Sequence, residues 1–201
     1  MKKTIIAAVA LLCLIGTATA QRHVEYRWRG FYGTLDMSYG FNLNRGEGLN
    51  GVADTAGMLG MGFSAGFQFS KEAGVGVGFT YLADPSGAYT QLPVYVELRS
   101  HLSRGQLTPY TALQVGYTMP LGSSSEPPSI EITEGGLYFG LDLGARYALN
   151  RNFAVGGHVG YKLLQSNKLK RSMINEFGDE VPYLEDAVVL HMLFIGACLY
   201  F

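Results

Sequence analysis

The sequence predicts an all-β fold: an eight-stranded antiparallel up-and-down barrel that crosses a membrane as strands. Three observations carry that prediction. Apolar residues alternate with small or polar ones, at period two, through eight segments. Beyond residue 20, no run of apolar residues reaches the roughly 18 that a membrane-spanning helix needs. Charged residues are only 15% of the chain, against about 25% in soluble proteins. Gly numbers 27, Tyr 13 and Phe 11, a composition for a chain that does not face water on all sides.

The N-terminus reads separately. "MKK" is basic, "TIIAAVALLCLIG" is apolar and "TATA" is small, the pattern of a secretory signal peptide over residues 1–20. Cleavage is expected between Ala20 and Gln21, leaving residues 21–201 as the barrel domain, exported through the Sec route. Cys13 follows Leu11 and Leu12 inside the apolar core, so lipidation is not expected. The mature chain then keeps Cys198 alone and has no internal disulfide. A single Cys in an apolar strand reads as a small packed residue. A net charge of -1 gives no indication of nucleic acid as a partner.

The strands follow in order. "RGFYGTLDMSYGF" sets Phe31, Leu35, Met37, Tyr39 and Phe41 against Tyr32, Thr34, Asp36 and Ser38. Successive strand side chains point to opposite faces, so this strand has one apolar side. "MLGMGFSAGFQFS" and "GVGVGFTYL" repeat the pattern with glycine on the second face. "QLPVYVELRS" sets Leu92, Val94, Val96 and Leu98 against Tyr95, Glu97 and Arg99. "PYTALQVGY", "GLYFGLDLGARYAL" and "FAVGGHVGYKL" are the fifth to seventh strands, and the eighth runs from about Ala187 through "HMLFIGACLYF". Connections after strands two, four and six are short ("KEAG", "SRGQLT", "NRN"). Those after strands one, three, five and seven are long and rich in Asn, Gly, Ser, Pro and charge. An even strand count closes an up-and-down sheet, and such asymmetric connections place the long loops outside the cell.

The apolar face could be a soluble core, but three features favour lipid. Charge keeps to the other face: Asp36, Glu97 and Asp142 with Arg99, Arg146, His158 and Lys162 form the expected polar network of the lumen. Three acids balance three fixed bases, as charges out of water require. Glycine crowds the same inward face, making room for Tyr32, Tyr95, Tyr110, Tyr138 and Tyr200. Outward aromatics sort into two girdles, Phe31, Phe67, Phe69, Tyr147, Phe153 and Phe201 at the short-turn end, and Tyr39, Phe41, Phe79, Tyr81, Tyr117 and Tyr161 at the other. In the eighth strand Leu190, Met192, Phe194 and Cys198 are apolar on the inward face, so part of the lumen is expected to be plugged.

With its N-terminal signal, eight amphipathic strands and terminal Phe201, the chain resembles the small eight-stranded outer-membrane proteins of the OmpX and OmpA-barrel type. Its Gly- and Tyr-rich strands are most similar to the "outer membrane protein beta-barrel domain" proteins of the Bacteroidetes, the PorT-like group. The resemblance covers about residues 27–201. It implies a Gram-negative outer-membrane location, outer-membrane lipid as surroundings, and the barrel assembly machinery as a partner. It also implies that Leu199 and Phe201 act as the C-terminal assembly signal.

Motifs for chemistry are lacking. "GMGFSA" at 60–65 loosely fits a dinucleotide-binding pattern, but no helix opens there. There is no phosphate-loop lysine, no HExxH and no paired Cys ligands. No catalytic residue, cofactor or metal is therefore expected. His23 falls in the N-terminal arm, His101 beside a short turn, and His158 in the lumen at the height of Asp142 or Arg146. His191 falls on the lipid face near the outer rim, where a lipid-modifying enzyme would also need a Ser and an acid. "KLKRSMINEFGDE" reads as a solvated loop with a basic and an acidic half. The expected role is structural or surface-interacting, through an extracellular ligand held by the loops of a monomeric barrel. The alternatives are a narrow channel or small-molecule binder, a lipid-modifying enzyme, and a soluble periplasmic barrel.

Overall fold

A computed structural model describes residues 29–43, 57–70, 72–85, 89–103, 105–123, 130–174, 180–185 and 188–201. The segment read as a signal peptide, and His23, lie outside the described residues. Every described element is a strand: β1 (Gly30–Asn42), β2 (Gly57–Gln68), β3 (Gly74–Ala83), β4 (Tyr89–His101), β5 (Leu107–Ser123), β6 (Ile130–Ala148), β7 (Ala154–Ile174), β8 (Glu180–Glu185) and β9 (Val188–Tyr200). Neighbours pair antiparallel from β1 to β7. β9 then pairs with both β7 and β1, and the sheet closes. The wall is an eight-stave barrel whose last stave is β9.

β8 is not a ninth stave. It continues the same edge of β7 above β9, with Ser166 opposite Val188 and Leu169 opposite Glu185. This corrects the expectation for "KLKRSMINEFGDE": residues 168–174 belong to strand β7, paired with β6 and β8. The "MPLGSSSEPPSIEITE" connection is likewise partly strand, since β5 runs to Ser123 and β6 starts at Ile130. The physical reason is that backbone pairing needs no alternation of apolar and polar residues. Backbone pairing alone carries the strand, and Glu131 opposite Lys170 and Glu134 opposite Lys168 set opposite charges in register.

At the other end the turns are tight. Leu149 N donates to Phe153 O, and the Asn150 side-chain oxygen accepts from the Asn152 and Phe153 amides, both at 2.8 Å. "NRN" is thus an Asx-type turn.

The parity reading holds along the wall. Phe31 is 83% exposed, Met37 64% and Val77 62%, while their chain neighbours Tyr32, Ser38, Gly76 and Gly78 turn inward. Exposed apolar side chains occur on every stave, whereas a soluble monomer rarely shows an apolar patch beyond a few hundred Å². The aromatic sorting is looser than expected. Phe31, Phe67 and Phe69 stack at one end and Tyr39 with Phe41 at the other. Phe79, however, faces Phe63 across mid-strand, so it belongs to the band between the girdles.

The inward glycines do make room for rings. A Cβ on Gly76 would sit 2.6 Å from the Tyr32 hydroxyl, one on Gly78 2.8 Å from the Tyr95 ring, and one on Gly144 2.6 Å from the Tyr110 ring. At Gly66 it would also lie 2.6 Å from the Gly76 backbone, which cannot swing away. Gly66→Val is expected to destabilise the barrel by about 1–3 kcal/mol or more in urea unfolding from lipid vesicles. Gly157→Ala, whose Cβ meets nothing nearer than 3.5 Å, leaves the midpoint unchanged. Equal midpoints for the two variants would show that the lumen is not packed at this spacing.

Candidate functional site in the barrel lumen

All seven predicted network residues, Asp36, Glu97, Arg99, Asp142, Arg146, His158 and Lys162, point inward, on β1, β4, β6 and β7. They form two groups rather than one. Toward the short-turn end, Arg99 and Glu97 are two residues apart on β4 and so share a face. Their charged atoms lie 2.9 Å apart and are almost fully buried. Glu97 also accepts from Gln114 Nε2 at 3.0 Å and from the Tyr32 hydroxyl at 3.3 Å. The Arg99 guanidinium lies 5.4, 5.3 and 5.1 Å from the ring centroids of Tyr32, Tyr110 and Tyr200. Arg146 approaches the Tyr200 ring at 5.9 Å. A carboxylate and three aromatic faces thus enclose one cation, which offsets the cost of taking it out of water. Below this box a mouth of about 290 Å³ opens between the short turns.

The second group lies at mid-height. His158 Nδ1 stands 3.5 Å from Asp36 Oδ2. Its charged partner is Asp36, because closure sets β1 and β7 on either side of β9. Asp142 and Lys162 line the same small void, of about 20 Å³, and the Lys162 ammonium sits 4.5 Å from the Phe194 ring centroid.

Above both groups the bore is mostly apolar, with Gln91 donating to Ser166 at 3.2 Å among the apolar side chains. Met58, Leu82, Tyr138, Leu164, Leu190, Met192 and Phe194 form one buried cluster, none more than 2% exposed. The Tyr138 hydroxyl donates to Gln114 Oε1 at 2.8 Å, and its ring stacks on Tyr95. Gln114 therefore ties the plug to the Arg99 box. Sequence parity placed Gln114 inward without showing that bridge, because parity says nothing of distances across the bore.

Of the remaining predicted residues, His191, Leu199 and Phe201 lie on the outer face and His101 turns inward. His191 is hydrogen-bonded to the Tyr161 hydroxyl, and its cross-strand partner is Leu163. Leu43 donates its amide to the His191 carbonyl. None of these three neighbours is a Ser or an acid. His101 is buried beside the Tyr110 ring. Leu199 and Phe201 face outward. Phe201 exchanges two backbone hydrogen bonds with Gly33, at 2.8 and 3.0 Å. Its ring covers the place a Gly33 Cβ would occupy, 2.5 Å away.

An apolar wall around a filled bore defines an integral membrane β-barrel. The chain belongs to the "Outer membrane protein beta-barrel domain" family, whose model matches residues 9–177, and it is an outer-membrane protein. No curated relative matches the sequence. Solved structures share the fold at low identity. OprG from Pseudomonas aeruginosa superposes with a TM-score of 0.61 at 15% identity, over 89% of this chain and 99% of that one. Neisserial surface protein A gives 0.52 at 14%, over 84% and 96%. AlkL, solved in DMPC bilayers, gives 0.52 at 16%, over 90% and 93%.

Removing one member of the buried pair leaves an uncompensated charge. Glu97→Ala is expected to cost about 3–5 kcal/mol of unfolding stability, and adding Arg99→Met to it recovers a large part. A double variant no more stable than Glu97→Ala would show that the two charges do not interact.

Proposed function

We propose that the protein is a closed, non-catalytic outer-membrane barrel whose role is carried by its long extracellular connections. One observation carries this reading: the bore is filled from wall to wall, with the apolar cluster at one end and the Arg99 box at the other. Eight staves leave room only for side chains, and Tyr138, Phe194 and Leu164 at 0% exposure occupy that room. This filling supports a closed bore over a diffusion path. The hairpin of β7 and β8 supports the second half of the reading. Its strand continues from Tyr161 to Ile174, roughly 40 Å of chain at about 3.3 Å per residue, on the side where the girdle ends. It presents a paired, charged ribbon rather than a slack loop. The surroundings of His191 support the absence of lipid chemistry. In the same reading Leu199 and Phe201 serve the barrel assembly machinery as its recognition element, and the barrel is a monomer.

Planar-bilayer recording tests the closed bore. The native barrel is expected to give no steady conductance, and Phe194→Ala combined with Tyr138→Ala to give small discrete openings. Steady openings from the native barrel would make it a narrow channel instead. Exchange of residues 167–187 for a short Gly-Ser turn should leave membrane insertion intact and abolish surface binding of the extracellular ligand. Loss of insertion would assign that hairpin to the scaffold.

A further inference from the structure

We propose that Asp36, His158 and Cys198 form a transition-metal site inside the barrel, one that takes zinc(II) or a similar thiophilic divalent ion. The three side chains come from β1, β7 and β9. Asp36 and Cys198 are direct register partners. His158 is the register partner of Gly196, the inward residue two places before Cys198. Each offers one donor atom, a carboxylate oxygen, an imidazole nitrogen and a thiol sulfur, and these lie within 4.8 Å of one another.

The spacing suits an ion. Tetrahedral zinc, with bonds of about 2.0–2.3 Å, sets its ligand atoms roughly 3.3–3.8 Å apart. The Asp36–His158 separation of 3.5 Å already falls there. Thiolate, imidazole and carboxylate together favour zinc and its neighbours over magnesium or calcium. Gly196 leaves room for the ring: a Cβ there would lie 2.5 Å from His158 Cε1, so a larger residue would push the imidazole off the site.

A fourth residue, an acid, lines the same void. Asp142 Oδ1 is buried and makes no hydrogen bond, on a residue only 6% exposed. It lines the same void of about 20 Å³ as the three ligands, large enough for one ion or water. Charge also balances. Asp36, Asp142 and the Cys198 thiolate supply three negative charges, and Lys162 with a divalent ion supplies three positive. Binding the thiolate releases the thiol proton. The sequence showed no such site because its ligands share no local spacing; only closure of the barrel brings them together.

The consequence is mechanical. β1 and β9 are the first and last staves, so the ion would staple the seam at which the barrel closes. The test uses the full-length chain purified from outer membranes, in a Cys13→Ser background so that Cys198 is its one thiol. Cobalt(II), as a zinc probe, is expected to bind at one ion per barrel and to show the near-ultraviolet thiolate charge-transfer band, which zinc then displaces. Zinc should also raise the temperature of the heat-induced gel shift, and chelator should lower it. Cys198→Ser and His158→Gln should lose the band and the shift, while His191→Ala keeps both. Absence of the band in the Cys198-containing barrel would overturn the proposal without reference to whether any variant folds. Equal binding by a folded Cys198→Ser barrel would overturn it too.

Discussion

Eight staves close a ring whose bore is about one layer of side chains wide, and each inward residue must fit against those facing it. Arg99 shows what this demands. Its guanidinium is almost fully buried, and it is met by Glu97 along its own strand and by Tyr32, Tyr110 and Tyr200 across the bore. Those rings fit because Gly66, Gly76 and Gly144 yield the space beside them. Glycine, which weakens a strand in water, is here the counterpart of each inward tyrosine. The outer wall has no such demand. Its side chains touch only in local pairs such as Phe31 with Phe67 and Tyr39 with Phe41.

Much of this was legible in the sequence because a strand has period two. Parity alone separated Leu193, Ile195, Ala197 and Leu199 from Leu190, Met192, Phe194 and Cys198, and the structure keeps that division. Parity does not say which inward residues meet across the bore. The contact of His158 with Asp36 reaches past the closing stave, and period two carries no signal of it. It also fails where a sequence does not alternate. Lys168 to Ile174 has no apolar side to announce a strand, yet it is paired with β6 as far as Arg171 and with β8 from Leu169 on.

The closing seam concentrates what is distinctive in this chain. Phe201 locks to Gly33 by reciprocal backbone bonds and lays its ring into the notch that glycine leaves. Two turns of alternation further in, Asp36, Cys198 and His158 converge across the same two interfaces. The C-terminal strand thus presents lipid-facing apolar residues on one side and the contacts that hold the ring shut on the other.

Every conclusion about the bore depends on the outer wall lying in lipid. Spin labels at Met37, Val77, Val115 and Ile195, outward positions on four staves, test this directly, in a background with Cys13 and Cys198 replaced by Ala. In bilayers all four should be accessible to oxygen and shielded from a water-soluble nickel complex, and a label at Arg151 in the β6–β7 turn should show the reverse. Nickel access at the four wall positions would contradict the account and make the apolar face something other than a membrane surface.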